Sequence, residues 1–160
     1  MTISDQAIQA AIQEHQSLPG AMLPVLHAVQ NTFGYIPANA PAVVAKALQV
    51  SQAEVEGVIS FYHHYRRQPA GAHIVQVCRA EACQARGSRE LEAHLKQALD
   101  IDYHQTTTDR EITLEPVYCL GNCACGPNLL VDDQVVARVT PAKADALIEG
   151  LRTQVLEVGA

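Results

Sequence analysis

The sequence predicts an α/β protein in two parts, a small amino-terminal helical bundle over residues 1–68 and an α/β domain over residues 69–160. Three observations carry this reading. Apolar residues before residue 68 recur at helical spacing. Alternating segments rich in β-branched residues, HIVQVC and EITLEPVYC, appear only after it. Between them lies RRQPAGAH, residues 66–73, a turn-rich break that marks the domain boundary.

In the first part, Ser4 is placed to cap a helix running through Ile8, Ala11 and Ile12. Leu23, Leu26, Val29, Gln30 and Phe33 follow at helical spacing; Gly34 ends that helix and Pro37 keeps it ended. The stretch NAPAVVAKALQV reads as a third helix with Val43, Val44, Ala47 and Leu48 inward. Ser51 and Glu54 form a capping-box pattern that opens a fourth helix, SQAEVEGVISFYHH. In the second part HIVQVC is a strand ending at Cys78, SRELEAHLKQAL a helix capped by Ser88, and EITLEPVYC a strand ending at Cys119. LLVDD and QVVARV form a hairpin around Asp132 and Asp133, and Thr140-Pro141 starts a last helix through Leu147, Ile148 and Leu151. The order β-α-β-β-α suits a sheet covered by helices.

Composition narrows the function. Of 160 residues, 48% are apolar and 18% charged, which fits a packed core rather than a disordered chain. The formal charge of -6, the absence of Trp and the presence of only two Phe argue against nucleic acid as a partner. The start MTISDQAIQAAIQEHQ lacks a basic segment followed by an apolar run, and no stretch approaches the roughly 20 apolar residues of a membrane span. A soluble, cytoplasmic chain is expected, and there cysteines serve metals and redox chemistry more than disulfides.

Four of the five cysteines form two pairs, Cys78 with Cys83 (C-x4-C) and Cys119 with Cys123 (C-x3-C), separated by 35 residues. Each pair follows a strand, so two neighbouring parallel strands would bring all four thiols to one sheet edge. Each iron of a [2Fe–2S] cluster is tetrahedral and takes two bridging sulfides, so the protein supplies thiolates two by two. A structural zinc, taking the same thiolates around one ion in a module with no redox role, is the alternative. The C-x4-C spacing fits ferredoxin-type loops better, and the absence of a C-x-x-C motif disfavours a catalytic dithiol. Gly121 and Gly126 allow the second loop to wrap closely. Cys125 reads as a small buried residue beside the cluster, with a ligand role as the minority reading.

At these residues the chain resembles a known family. C-x4-C followed by C-L-G-x-C looks like the thioredoxin-like [2Fe–2S] subunit of NADH dehydrogenases, the 24 kDa subunit family. LPVLHAVQNTFGYIP and GVISFYHHYRRQPAG resemble that family's amino-terminal segments, and the likeness covers roughly residues 18–150. It implies a thioredoxin-like cluster domain with Cys78, Cys83, Cys119 and Cys123 as ligands. It implies a chain that is not catalytic alone and that docks on a flavoprotein carrying FMN, the NAD site and a [4Fe–4S] cluster. Within the family, YHQTTTDREITLEPVYCLGNCACGP and Cys125 look closest to the gamma subunit of NAD-dependent formate dehydrogenases. That branch implies a beta flavoprotein and an alpha subunit with a molybdenum cofactor. The alternatives in the family are the E-type subunit of NADH–quinone oxidoreductase and the corresponding subunit of NAD-linked hydrogenases. An isolated chain with its docking face uncovered is a candidate for homodimer formation.

The remaining residues are given ordinary roles. The thiols leave no need for histidine ligands of the Rieske kind. His63 and His64 are expected at an inter-domain or subunit contact or at a helix end, and Asp109 to Glu111 in a polar loop; Arg79 and Arg86, flanking the first cysteine loop, are expected in solvent or against a partner subunit, the alternative being that they raise the potential of a cluster by offsetting its charge. No G-x-G-x-x-G follows a strand and no P-loop is present, so NAD and FMN are expected on other subunits.

Overall fold

The computed structural model describes residues 3–158 and the side chains of residues 3–153. It divides into two units, Met1–Pro69 and Ala70–Ala160.

The first unit holds four helices: α1 (Asp5–Ile12), α2 (Met22–Phe33), α3 (Ala40–Leu48) and α4 (Gln52–Phe61). Ser4 caps α1 through the N–H of Ala7. Gly34 closes α2 at φ 79°, a left-handed conformation that costs glycine little. The capping box of α4 is complete: Ser51 accepts from the N–H of Glu54, and the Glu54 carboxylate accepts from the N–H of Ser51. Ile8, Ile12, Val25, Leu26, Val29, Ile36, Val44 and Val55 form the core. Its buried polar residue, Gln30, is satisfied by the His64 carbonyl (2.8 Å) and the Arg66 N–H (2.8 Å).

Two expectations are corrected here. In α3 the fully buried face is Ala40, Pro41, Val44 and Ala45, while Val43, Ala47 and Leu48 pack only at its margin, because small residues let this short helix lie close to α1 and α4. Helix α4 stops at Phe61, where Tyr62 turns to extended backbone. His64 is exposed just beyond that end, its ring 5.6 Å from that of His27 at an interplanar angle of 53°.

The second unit is built on a five-stranded sheet of order β2-β3-β1-β4-β5. The strands are β1 (His73–Cys78), β2 (Gln105–Thr106), β3 (Ile112–Val117), β4 (Leu129–Val131) and β5 (Gln134–Val136). The central β1 and β3 run parallel, with His73 opposite Ile112 and Cys78 opposite Val117. The other neighbours are antiparallel, and β4 and β5 form the hairpin expected at Asp132 and Asp133. Helices α5 (Glu81–Gln84) and α6 (Ser88–Leu99) connect β1 to β2, and α7 (Pro141–Val158) follows β5. Val75, Val77, Leu91, Leu95, Ile112, Leu114, Leu129 and Ile148 form a core between the sheet, α6 and α7. Thr140 opens α7, its hydroxyl accepting from the N–H of Lys143.

Ser88 does not cap α6. The cap is Gly87 at φ 93°, and the buried Ser88 hydroxyl instead donates to the Cys78 carbonyl at 2.5 Å. The strand containing EITLEPV ends at Val117, two residues before Cys119.

Candidate metal centre

The parallel pairing of β1 and β3 fixes where the cysteines go. Both strands end at the same edge, with Cys78 on the last rung opposite Val117. The start of β4 meets the same edge from the other side, since Val77 pairs with Leu129 and the N–H of Cys78 donates to the Asn128 carbonyl at 3.1 Å. The chain from Cys119 to Asn128 therefore arches over the end of β1. The Arg79 N–H, bonded to the Val117 carbonyl at 2.8 Å, ties the two cysteine loops at their roots.

Each loop has its own geometry. Cys78 leaves the strand, and Cys83 sits one short helix later on α5; both are 1% exposed. Cys119 is exposed and Cys123 half-buried at the start of a 3-10 turn, Cys123–Cys125. The Cys119 and Cys123 sulfurs are 3.6 Å apart. A tetrahedral metal with bonds of about 2.3 Å to sulfur separates two ligands by about 3.7 Å, so this pair has the spacing of two ligands on one metal. Cys119 has φ 109°, strain for a residue with a Cβ, held where the loop turns toward Cys123. Gly121 follows at φ 77° and donates its N–H to the Cys119 sulfur at 3.4 Å.

The electrostatics of the thiols reflect the crowding. Burial pushes Cys78 up, but the N–H of Ala80, the Cys83 thiol and the N–H groups of Leu120 and Cys119 outweigh it, and its pKa lies below the ordinary thiol value. Two of those donors belong to the second loop, and Asn128 of that loop reaches the Cys83 sulfur at 3.5 Å, so the second loop lies against the first pair. Burial, then the Cys78 thiol, push Cys83 up, with partial relief from Asn128. Cys123 is raised by the Cys119 thiol beside it. Thiols held this close resist sharing negative charge until a metal neutralises it.

The surroundings fit an anionic cluster. Asn128 is fully buried; its amide donates to the Cys83 sulfur (3.5 Å) and to the Asn122 carbonyl (2.8 Å), and accepts from the Asn122 amide (3.1 Å). A Cβ on Gly126 would lie 3.2 Å from the Cys83 sulfur, so only glycine brings the second loop this close without displacement. Sulfurs offered as two pairs suit a two-iron cluster better than one zinc.

Sequence reasoning singled out the four cysteines and missed Asn128. An Asn after Gly-Pro reads as a turn residue, and nothing local signals that its side chain faces a sulfur. Cys125 is half-buried rather than enclosed, its carbonyl accepting from the Arg138 N–H at 2.9 Å. Arg79 is not free in solvent: its Nε donates to Glu92 at 2.9 Å. Asp109 is more than a loop residue, accepting from Thr107 and pairing with Arg152 of α7 at 3.2 Å.

Four thiols in two loops over the edge of a mixed sheet are the construction of an iron–sulfur protein. A family model described as thioredoxin-like [2Fe–2S] ferredoxin matches residues 8–152, and the chain belongs to that family. It is 35% identical over 144 residues to the E-type subunit of the NADH-quinone oxidoreductase of Escherichia coli (strain K12), covering 90% of this chain and 87% of that one. It is 33% identical over 140 residues to a subunit of the NADP-reducing hydrogenase of Solidesulfovibrio fructosivorans, covering 86% and 82%. The crystal structure of an NAD+-reducing [NiFe]-hydrogenase in the air-oxidized state is similar, with TM-score 0.71 and 25% identity; it covers 89% of this chain, which spans only 24% of that one. The expected α/β fold class, the family resemblance and the [2Fe–2S] cofactor are thereby borne out. None of these relatives is a formate dehydrogenase.

Proposed function

We propose that the chain is the electron-transfer subunit of an NAD-linked oxidoreductase and that Cys78, Cys83, Cys119 and Cys123 hold its cluster. The observation that supports this is that both cysteine loops close over the end of β1, in a chain of this family. When bound, the cluster takes up and releases one electron at a time. The chain's own residues do the rest: α5 and Asn128 bury the Cys78–Cys83 pair, N–H groups offset thiolate charge, and Cys119 keeps the other pair at the surface. That exposed side faces a flavoprotein carrying FMN and NAD, on which the chain docks; it performs no chemistry on substrate itself.

Within this class we assign it to a cytoplasmic formate dehydrogenase complex, as the gamma subunit beside a beta flavoprotein and a molybdenum-containing alpha subunit. The segment from Tyr103 to Pro127, with Cys125, supports this. A second reading, the E-type subunit of a NADH–quinone oxidoreductase or the corresponding hydrogenase subunit, is favoured by the named relatives. No described helix is long and apolar enough to cross a membrane, which suits either complex.

The test is to purify the tagged full-length chain from its native cells under mild conditions and identify what accompanies it. A molybdenum protein with formate-dependent NAD reduction is expected. Co-purification of quinone-reductase membrane subunits or of a nickel–iron hydrogenase would overturn the formate assignment. Replacing Cys119 by Ala in the complex should slow electron delivery to NAD; an unchanged rate with unchanged flavin reduction would count against the electron-carrying role.

A further inference from the structure

Arg79 follows Cys78 directly, and its backbone is pinned from both sides. Its N–H bonds the end of β3, and its carbonyl accepts from the Gln84 side chain at 2.6 Å. From this fixed root the side chain enters a line of alternating charges that runs along α6 and ends at Asp102 just beyond it. Arg79 Nε meets one oxygen of Glu92 at 2.9 Å, Lys96 Nζ meets the other at 3.0 Å, and Lys96 also reaches Asp102 at 2.9 Å. Both cations lie over the ring of Tyr103, Arg79 at 5.4 Å and Lys96 at 4.1 Å from its centre. Burial, then Glu92, raise the Tyr103 phenol above its ordinary value, so the ring stays neutral beneath them.

Such an arrangement does more than stabilise. With the Arg79 side chain 38% exposed, the ion pair alone contributes little to folding. Glu92, 15% exposed and held between two cations, is better shielded. What the arrangement fixes is the position and the partial cancellation of a permanent positive charge carried by the residue that follows Cys78 in the chain.

We propose that Arg79 and Glu92 are positioning residues that form a counterpoised pair setting the reduction potential of the cluster. The proposal rests on the assignment of Cys78, Cys83, Cys119 and Cys123 as ligands. Reduction adds one negative charge to an already anionic thiolate set. The Arg79 cation favours that added electron, and Glu92 opposes it by cancelling part of the Arg79 field.

The two halves of the pair therefore act with opposite sign. Arg79→Gln leaves Glu92 with Lys96 and disfavours reduction. Glu92→Gln frees the field of both cations and favours it. A purely structural tie would behave otherwise, since breaking it from either side loosens the same loop and moves the potential the same way.

The experiment is a redox titration of the full-length cluster-loaded chain, followed by visible absorption and electron paramagnetic resonance, for wild type, Arg79→Gln, Glu92→Gln and Arg79→Lys. The expected change in the reduction equilibrium is about threefold to tenfold in each direction, or about 30–60 mV at 59 mV per tenfold for one electron. It should shrink as salt is raised, and Arg79→Lys should stay near wild type. Shifts of the same sign, or potentials unmoved with intact cluster spectra, would overturn the proposal. A wild-type chain with no reversible one-electron signal would overturn the ligand assignment itself, and this proposal with it.

Discussion

Replacing Asn128 by Ala probes how the second loop is held over the first. Asn128 is fully buried and exchanges two hydrogen bonds with Asn122, at 2.8 and 3.1 Å, besides its weaker contact at 3.5 Å to the Cys83 sulfur. Each ordinary hydrogen bond contributes about 1 kcal/mol, and the shortened side chain leaves a small cavity. Together the loss is about 2–4 kcal/mol. For a unit of this size each kcal/mol lowers Tm by about 4–8 °C, so a fall of roughly 8–30 °C is expected. Urea unfolding of the full-length chain, with and without its cluster, gives the free energy directly: the midpoint should drop with little change in slope. Asn122→Ala removes only the 3.1 Å bond, because the Asn122 backbone carbonyl that Asn128 donates to is kept; it should cost less, about 1 kcal/mol, and the double variant should show coupling between the two positions. A stability within about 0.5 kcal/mol of wild type for Asn128→Ala would refute the claim that this side chain locks the loops together.

Other consequences are equally direct. Gly126→Ala puts a Cβ 3.2 Å from both the Cys83 sulfur and Arg86 Cδ; Arg86 can swing away but the buried Cys83 cannot, so urea unfolding should show a loss of about 1–2 kcal/mol and iron content should fall. The Ser51 N–H, then its hydroxyl, hold the Glu54 carboxyl below its ordinary value of 4.5. A carboxyl with a lowered pKa in the folded state stabilises fully above its unfolded value and loses that contribution as pH falls through the folded one. Melts of wild type and Glu54→Gln should therefore differ near neutral pH and converge in acid; a gap that persists in acid would contradict the capping-box account.

How far the sequence carried the reading depended on whether the deciding interaction was local. The alternation in HIVQVC and EITLEPV reflects one buried sheet, and it located β1 and β3. Ser51 with Glu54, and Thr140 with Pro141, settle their helix starts within one turn. Helix α5, four residues long, and β2, two residues long, are too short to show any period. Ser88 has the right type for a cap, yet a partner ten residues upstream, the Cys78 carbonyl, takes its hydroxyl and leaves the cap to Gly87. At the candidate metal centre the paired cysteines stand out by their spacing, whereas the residues lining them do not. Asn128 and Gly126 matter because of what stands 45 and 43 residues earlier, at Cys83. Arg79 finds its counter-ion one helix away, on α6.

The central claim is that four sulfurs from two loops, and not Cys125, hold a two-iron cluster. Iron and acid-labile sulfide should be measured per chain in the wild type and in five single Cys→Ala variants. About two of each are predicted for wild type and for Cys125→Ala, with loss of both on replacing Cys78, Cys83, Cys119 or Cys123. A wild type holding one zinc, or a cluster that survives without Cys119 and fails without Cys125, would contradict the account.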